Sequence, residues 1–157
     1  MSNPRGGWGL GSGNAKMPMR VDCFLDTNIL IYAALGREAE ETKRAKAAEL
    51  ILTTNFGLSA QVLQEFYATV IRKPDRSLTP AVAYEWIEEL EQQPCAAIDK
   101  ALVKVAIATS WQHQISYWDA AIIAAAERLG AQTLFTEDLN HGQTYGAVRV
   151  INPFIGG

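Results

Sequence analysis

The feature that most constrains this chain is an alternation of short apolar segments with stretches of good helix formers. The apolar segments fall at 21–25, 56–59, 95–98, 131–135 and 148–151. Between them the pattern predicts helices over 27–35, 38–54, 60–72, 80–92, 100–113 and 117–129. Gly36 and Gly130 stop two of these helices, and the Lys73-Pro74-Asp75 breaker stops a third. Thr79 before Pro80, and Asp99 before 100–113, stand where N-caps belong. Strands spaced by helices imply a parallel sheet covered on both faces. The expected fold is therefore an α/β chain: a three-layer α/β/α sandwich with a short, mainly parallel central sheet.

Length and composition narrow the class. At 157 residues, 48% hydrophobic and 20% charged, the chain suits one domain with an ordinary core. Residues 1–19 read as a flexible N-terminal tail, with Gly6, Gly7, Gly9, Gly11 and Gly13 in close succession, and 20–157 as the folded domain. The longest apolar run, 120–126, is far short of the ~20 residues of a membrane helix. Cys23 and Cys95 have no disulfide or zinc spacing, so a soluble, cytoplasmic protein with reduced thiols is expected. A net charge of −3 argues against a broad basic face for nucleic acid, though not against a nuclease whose metal ions supply the positive charge.

In a parallel sheet, ligands bind beyond the carboxyl ends of the strands. Four acids stand at such places: Asp26 after the first strand, Glu65 one turn into the helix after the second, Asp119 at the start of the Ala-rich helix, and Asp138 just past the strand 131–135. Each has a structural alternative. Asp26 could cap the helix that follows, Asp119 could complement a helix dipole, and Asp138 could be a turn residue. Glu65 lies at the margin of the stripe formed by Val62, Leu63, Phe66 and Val70, where a carboxylate needs a partner. Taken together, carboxylates on four connections at one sheet edge repel one another, and a bound cation relieves that repulsion. Oxygen-only donors suit Mg²⁺ or Mn²⁺ rather than Zn²⁺. Such ions are a familiar apparatus for attack of water on a phosphodiester, with no protein nucleophile needed.

The segments carrying these acids are Phe24-Leu25-Asp26-Thr27-Asn28-Ile29-Leu30-Ile31-Tyr32, then Ser59-Ala60-Gln61-Val62-Leu63-Gln64-Glu65-Phe66-Tyr67, then Tyr117-Trp118-Asp119-Ala120-Ala121-Ile122, and Thr136-Glu137-Asp138-Leu139-Asn140-His141-Gly142. In this order they resemble the four motifs of PIN-domain ribonucleases, and the compact chain resembles the VapC-type toxins of toxin–antitoxin pairs. The resemblance implies Mg²⁺- or Mn²⁺-dependent endonucleolytic cleavage of RNA, a homodimer, and inhibition by a small antitoxin. It also implies metal ligation by Asp26, Asp119 and Asp138, with Glu65 completing the cluster and Asn28 and Thr136 supporting it.

Other residues carry weaker expectations. Arg72, Lys73 and Arg76 end the Glu65 helix, so they read either as a solvated face or as a guide for RNA. Trp118 could stack a base, although an aromatic opening an apolar helix is first expected in the core. His141 is expected to be solvated, with phosphate contact or acid catalysis as the alternative. Three other functions compete: a housekeeping RNA-processing nuclease, a non-catalytic PIN-like RNA- or protein-binding module, and an aspartyl-phosphate phosphatase or transferase. The last commonly needs a second Asp two positions after the first, where this chain has Asn28.

Overall fold

A computed structural model describes residues 20–156. Six strands form one sheet in the order β3-β2-β1-β4-β6-β5. They are β1 (Cys23–Leu25), β2 (Phe56–Ser59), β3 (Cys95–Ala96), β4 (Thr133–Phe135), β5 (Thr144–Tyr145) and β6 (Val148–Ile151). Every pairing is parallel except β5 with β6. The helices are α1 (Thr27–Leu35), α2 (Glu41–Thr53), α3 (Ala60–Val70), α4 (Pro80–Leu90), α5 (Lys100–His113) and α6 (Tyr117–Arg128). They flank the sheet in two groups: α1 packs on α2 and α3, and α3 on α4, while α5 and α6 pack on each other. The α/β sandwich expected from the alternation is the one observed.

Burial explains the arrangement. Phe24 and Leu25 of β1 and Leu58 of β2 are fully buried, as strands covered on both faces require. Helix α6 is buried continuously from Ala120 to Ala126, so it is a core helix rather than an amphipathic surface one. Its small side chains let it lie close to β2, β4 and β6. The expected caps are in place: Thr79 Oγ1 accepts from Val82 N at 3.2 Å, and Asp99 Oδ1 from Leu102 N at 2.8 Å.

Several boundaries differ from the sequence pattern. Strand β1 starts at Cys23 instead of residue 21, and β3 is two residues long. The stretch 38–54 divides into a 3₁₀ turn, Glu38–Glu40, followed by α2. Helices α3 and α4 end two residues early, at Val70 and Leu90. Strand β5 has no counterpart in the apolar pattern, because two residues are too few to show an alternation. It is set by the two-residue turn Gly146-Ala147, where Gly146 has φ +60° and Tyr145 pairs with Val148.

Candidate active site

Asp26 follows β1 and caps the helix that comes after it. Its Oδ1 accepts from Thr27 N at 2.7 Å, capping α1, and its backbone N donates to Phe135 O of β4 at 3.1 Å. Its Oδ2 accepts from Thr136 Oγ1 at 2.8 Å. Thr136 is wholly buried and acts as the hub. Its hydroxyl also accepts from Asp138 N at 3.0 Å and from Asn28 Nδ2 at 3.3 Å. A hydroxyl has one proton to give and two lone pairs. With both lone pairs engaged, its proton goes to Asp26, so three elements are locked in one register. Asn28 Nδ2 also donates to Asp138 Oδ2 at 3.2 Å, while its buried Oδ1 has no partner.

Glu65 is held on both oxygens. Oε1 accepts from Thr27 Oγ1 at 2.8 Å, and Oε2 from Gln61 Nε2 at 3.2 Å. The same buried Gln61 amide reaches Trp118 O at 3.3 Å, tying α3 to the first turn of α6. That turn is capped by Ser116, whose Oγ accepts from Asp119 N at 3.0 Å. Asp119 therefore sits at the positive end of α6.

The electrostatics show that the four acids share one neighbourhood. Burial raises the Asp26 carboxyl to about 7, opposed by hydrogen bonds from Thr136 and Thr27 and reinforced by the charges of Asp138 and Glu65. Asp138 is raised by burial first and then by the charge of Asp119, with Glu137 and Glu65 adding to it. Among the described residues, no three His, Cys, Asp or Glu side chains lie close enough as placed to ligate one ion. The donor chemistry nevertheless fits a hard divalent cation: every acid offers oxygen, and both the burial and the added repulsion that raise Asp26 and Asp138 are costs that such an ion offsets.

Sequence reading missed part of this arrangement. Thr27 and Gln61 were legible in principle, one lying inside the first motif and the other one helical turn before Glu65. Lys43 carried no such signal. Its Nζ donates to Glu137 Oε2 at 2.6 Å and to Tyr32 Oη at 3.1 Å, and lies 4.9 Å from the Tyr32 ring centroid and 5.5 Å from that of Phe154. Tyr32 Oη in turn donates to Glu137 Oε1 at 2.9 Å. This cluster braces the loop carrying Asp138 against α1 and α2.

Trp118 corrects an expectation. It is 64% exposed and meets Tyr117 edge-on, so it stands at the surface beside Asp119 instead of in the core. Lys73 and Arg76 line a cavity that also touches Asn28 and Glu137, whereas Arg72 lies outside it and bonds Ala68 O from Nε at 3.1 Å. His141 is exposed, with Nδ1 accepting from Asn152 N at 3.0 Å. Burial pushes both the Cys23 and Cys95 thiols up, so neither is an activated nucleophile.

A mainly parallel sheet with carboxylates gathered at the carboxyl ends of its strands defines an α/β domain built around an acidic centre. The family model described as PIN domain matches residues 23–147, and the chain belongs to that family. No curated protein sequence matches it. Among solved structures it is similar to VapC20 of Mycobacterium tuberculosis, a sarcin–ricin-loop-cleaving toxin. The TM-score is 0.59 at 21% identity, over 74% of this chain and 91% of that one. It is also similar to a toxin–antitoxin complex from Klebsiella pneumoniae, with TM-score 0.62 at 16% identity over 84% and 98%. DNA-bound VapBC from Salmonella typhimurium gives 0.59 at 17% identity over 83% and 96%. At these identities the likeness is one of fold.

Proposed function

We propose that this chain is a divalent-metal-dependent endoribonuclease that hydrolyses RNA phosphodiesters as the toxin of a type II toxin–antitoxin pair. The observation that carries this reading is the nearness of Asp26, Glu65, Asp119 and Asp138 at one edge of the sheet, Asp26 and Asp138 joined through Thr136 and the charges of Glu65 and Asp119 felt by them. The same reading includes a homodimer, a small antitoxin partner and a cytoplasmic setting. Antitoxin-bound relatives of the same fold support the partner. No helix among the described residues is long and apolar enough to cross a membrane.

In this mechanism Asp26, Asp119 and Asp138 would hold Mg²⁺ or Mn²⁺, with Glu65 completing the set. When bound, the cation supplies the charge that makes water a competent nucleophile at neutral pH and offsets charge building on the phosphate. The remaining work belongs to the chain. Thr136 fixes Asp26 relative to the Asp138 backbone, Asn28 steadies the Asp138 carboxylate, and Thr27 and Gln61 hold the two oxygens of Glu65. These bonds narrow the positions open to Asp26, Glu65 and Asp138, so that less movement is left to make when a cation is bound, which is where positioning would lower a barrier.

The test is to incubate the purified protein, free of antitoxin, with a pool of cellular RNAs, with and without Mn²⁺, beside Asp119→Asn. Expected are metal-dependent cuts that the variant loses by on the order of 10²–10³-fold. Cutting that survives EDTA, or that a folded Asp119→Asn retains, would overturn the mechanism.

A further inference from the structure

We infer that the cavity beside the acidic centre is a pocket for one nucleobase of the substrate strand, and that it selects the sequence at which the strand is cut. The inference rests on the nuclease reading, because the acidic centre supplies the reason for a nucleic acid to lie there. The cavity measures about 190 Å³ and opens between the end of α1 and the segment that joins α3 to α4. Sites for drug-sized ligands run to ~300–1,000 Å³. This one therefore admits a fragment the size of a base, not a whole nucleotide.

Its walls are already in place. Arg76 Nη1 donates to Gly36 O at 2.9 Å, and Arg37 pairs with Asp75 at 2.8 Å, so the joining segment is tied to α1 at two points. Ile31, Leu35 and Tyr32 supply hydrocarbon surface. The walls carry both signs, Arg37, Lys73 and Arg76 with Glu40, Asp75 and Glu137, and much of that charge is already paired: Arg37 with Asp75, and Glu137 with Lys43 from outside the lining. A base, uncharged and carrying donors and acceptors on one edge, can use both signs. Single-stranded RNA is commonly read this way, by bases turned out of the stack and bonded along their edges.

The cavity shares a wall with the acidic centre. Asn28 and Glu137 line it, and the same Asn28 amide donates to Asp138 and Thr136. A base seated here would therefore belong to a nucleotide next to the one whose phosphate meets the carboxylates. The rim also includes Lys73, which makes no ion pair among the described residues.

Two measurements test the pocket. The first titrates methyl-labelled wild type with each of the four free nucleosides at millimolar concentration, and separately with inorganic phosphate, and follows the Ile31 and Leu35 methyl resonances. Expected is a shift with at least one nucleoside, none with phosphate, and loss of the nucleoside shift in Ile31→Phe, which fills the cavity. Phosphate shifting these methyls as strongly, or no nucleoside shifting them, would overturn the inference.

The second measurement reads base preference around the cut in randomised RNA. Expected is roughly a tenfold preference at one flanking position, reduced to about threefold or less in Ile31→Phe and in the surface variant Lys73→Ala. Preferences unchanged in both variants would overturn the pocket while leaving the nuclease in place. Nucleoside-specific shifts in a protein that cuts no RNA would sustain the pocket and overturn the nuclease.

Discussion

The two ends of α6 handle acidic side chains in opposite ways. At its carboxyl end, Glu127 Oε2 accepts from Ala147 N at 3.2 Å, and Arg128 grips Asp99 with two hydrogen bonds of 2.9 Å. Each acid there has a donor of its own. At its amino end, Asp119 faces other carboxylates, and its charge raises Asp138. One end is arranged for stability. The other gathers like charges, which costs stability wherever they are buried, and this end is the one turned toward the carboxyl edge of the sheet.

The sharpest way to test this contrast is Asp26→Asn. On the mechanism above, cleavage falls by on the order of 10²–10³-fold. Stability should move the other way. Asp26 titrates near 7 when folded and near 3.8 in its ordinary state. Between those values the folded chain keeps a proton that the unfolded chain has released, so stability falls as pH rises from about 4 to 7. A raised value of this kind corresponds to a ceiling of about 4 kcal/mol above pH 7. The replacement amide turns a donor toward Thr27 N or the Thr136 hydroxyl, so we expect a net gain nearer ~2 kcal/mol. Thermal melts in EDTA should show the variant more stable than wild type at pH 8, with no advantage at pH 4. Adding Mg²⁺ should raise the wild type alone.

A smaller effect is expected from Lys43→Met, which removes the brace on the Asp138 loop and touches no acid of the quartet. Turnover should fall on the order of tenfold with KM nearly unchanged. A KM-only effect would show that Lys43 contacts substrate instead of positioning the loop. The smallest effect belongs to the stabilised end. Asp99→Ala removes a cap and the Arg128 pair, so it should lower the melting temperature modestly and leave cleavage unchanged. Arg128 holds the Asp99 carboxyl below its ordinary 3.8, so its contribution is present above that value and lost as pH falls through the lower folded one. Between pH 7 and 4 the two sites thus respond differently, the Asp26 side gaining stability and the Asp99 pair holding steady; only below that range does the Asp99 pair lose its contribution.

The parts of this molecule legible in sequence are those with local signatures. Caps at Thr79 and Asp99, the stop at Gly130, and the alternation of strand and helix each follow from a few adjacent residues. The four acids were legible because a parallel sheet has a rule for where its strands point. What escaped was set by distance. Lys43 meets Glu137 only because α1 carries α2 against the loop after β4, and no residue near either one announces the other. Trp118 escaped for a different reason. A large aromatic at the head of an apolar helix looks like core, yet the buried run begins only at Ala120, and the first turn stands clear of the sheet.

The strand order has one more consequence, and it concerns time. Strand β1, which carries Asp26, pairs with β2 on one side and with β4 on the other, although β4 lies more than a hundred residues later. The hub residue Thr136 and Asp138 follow β4, and β4 is flanked in turn by β6, at Val148–Ile151. A chain still emerging from the ribosome can present Asp26 and Glu65, but it has neither the hub nor the last acid. On the proposed function, the fold itself would therefore delay activity: RNA would meet a complete acidic centre only once the strands after β4 are in place.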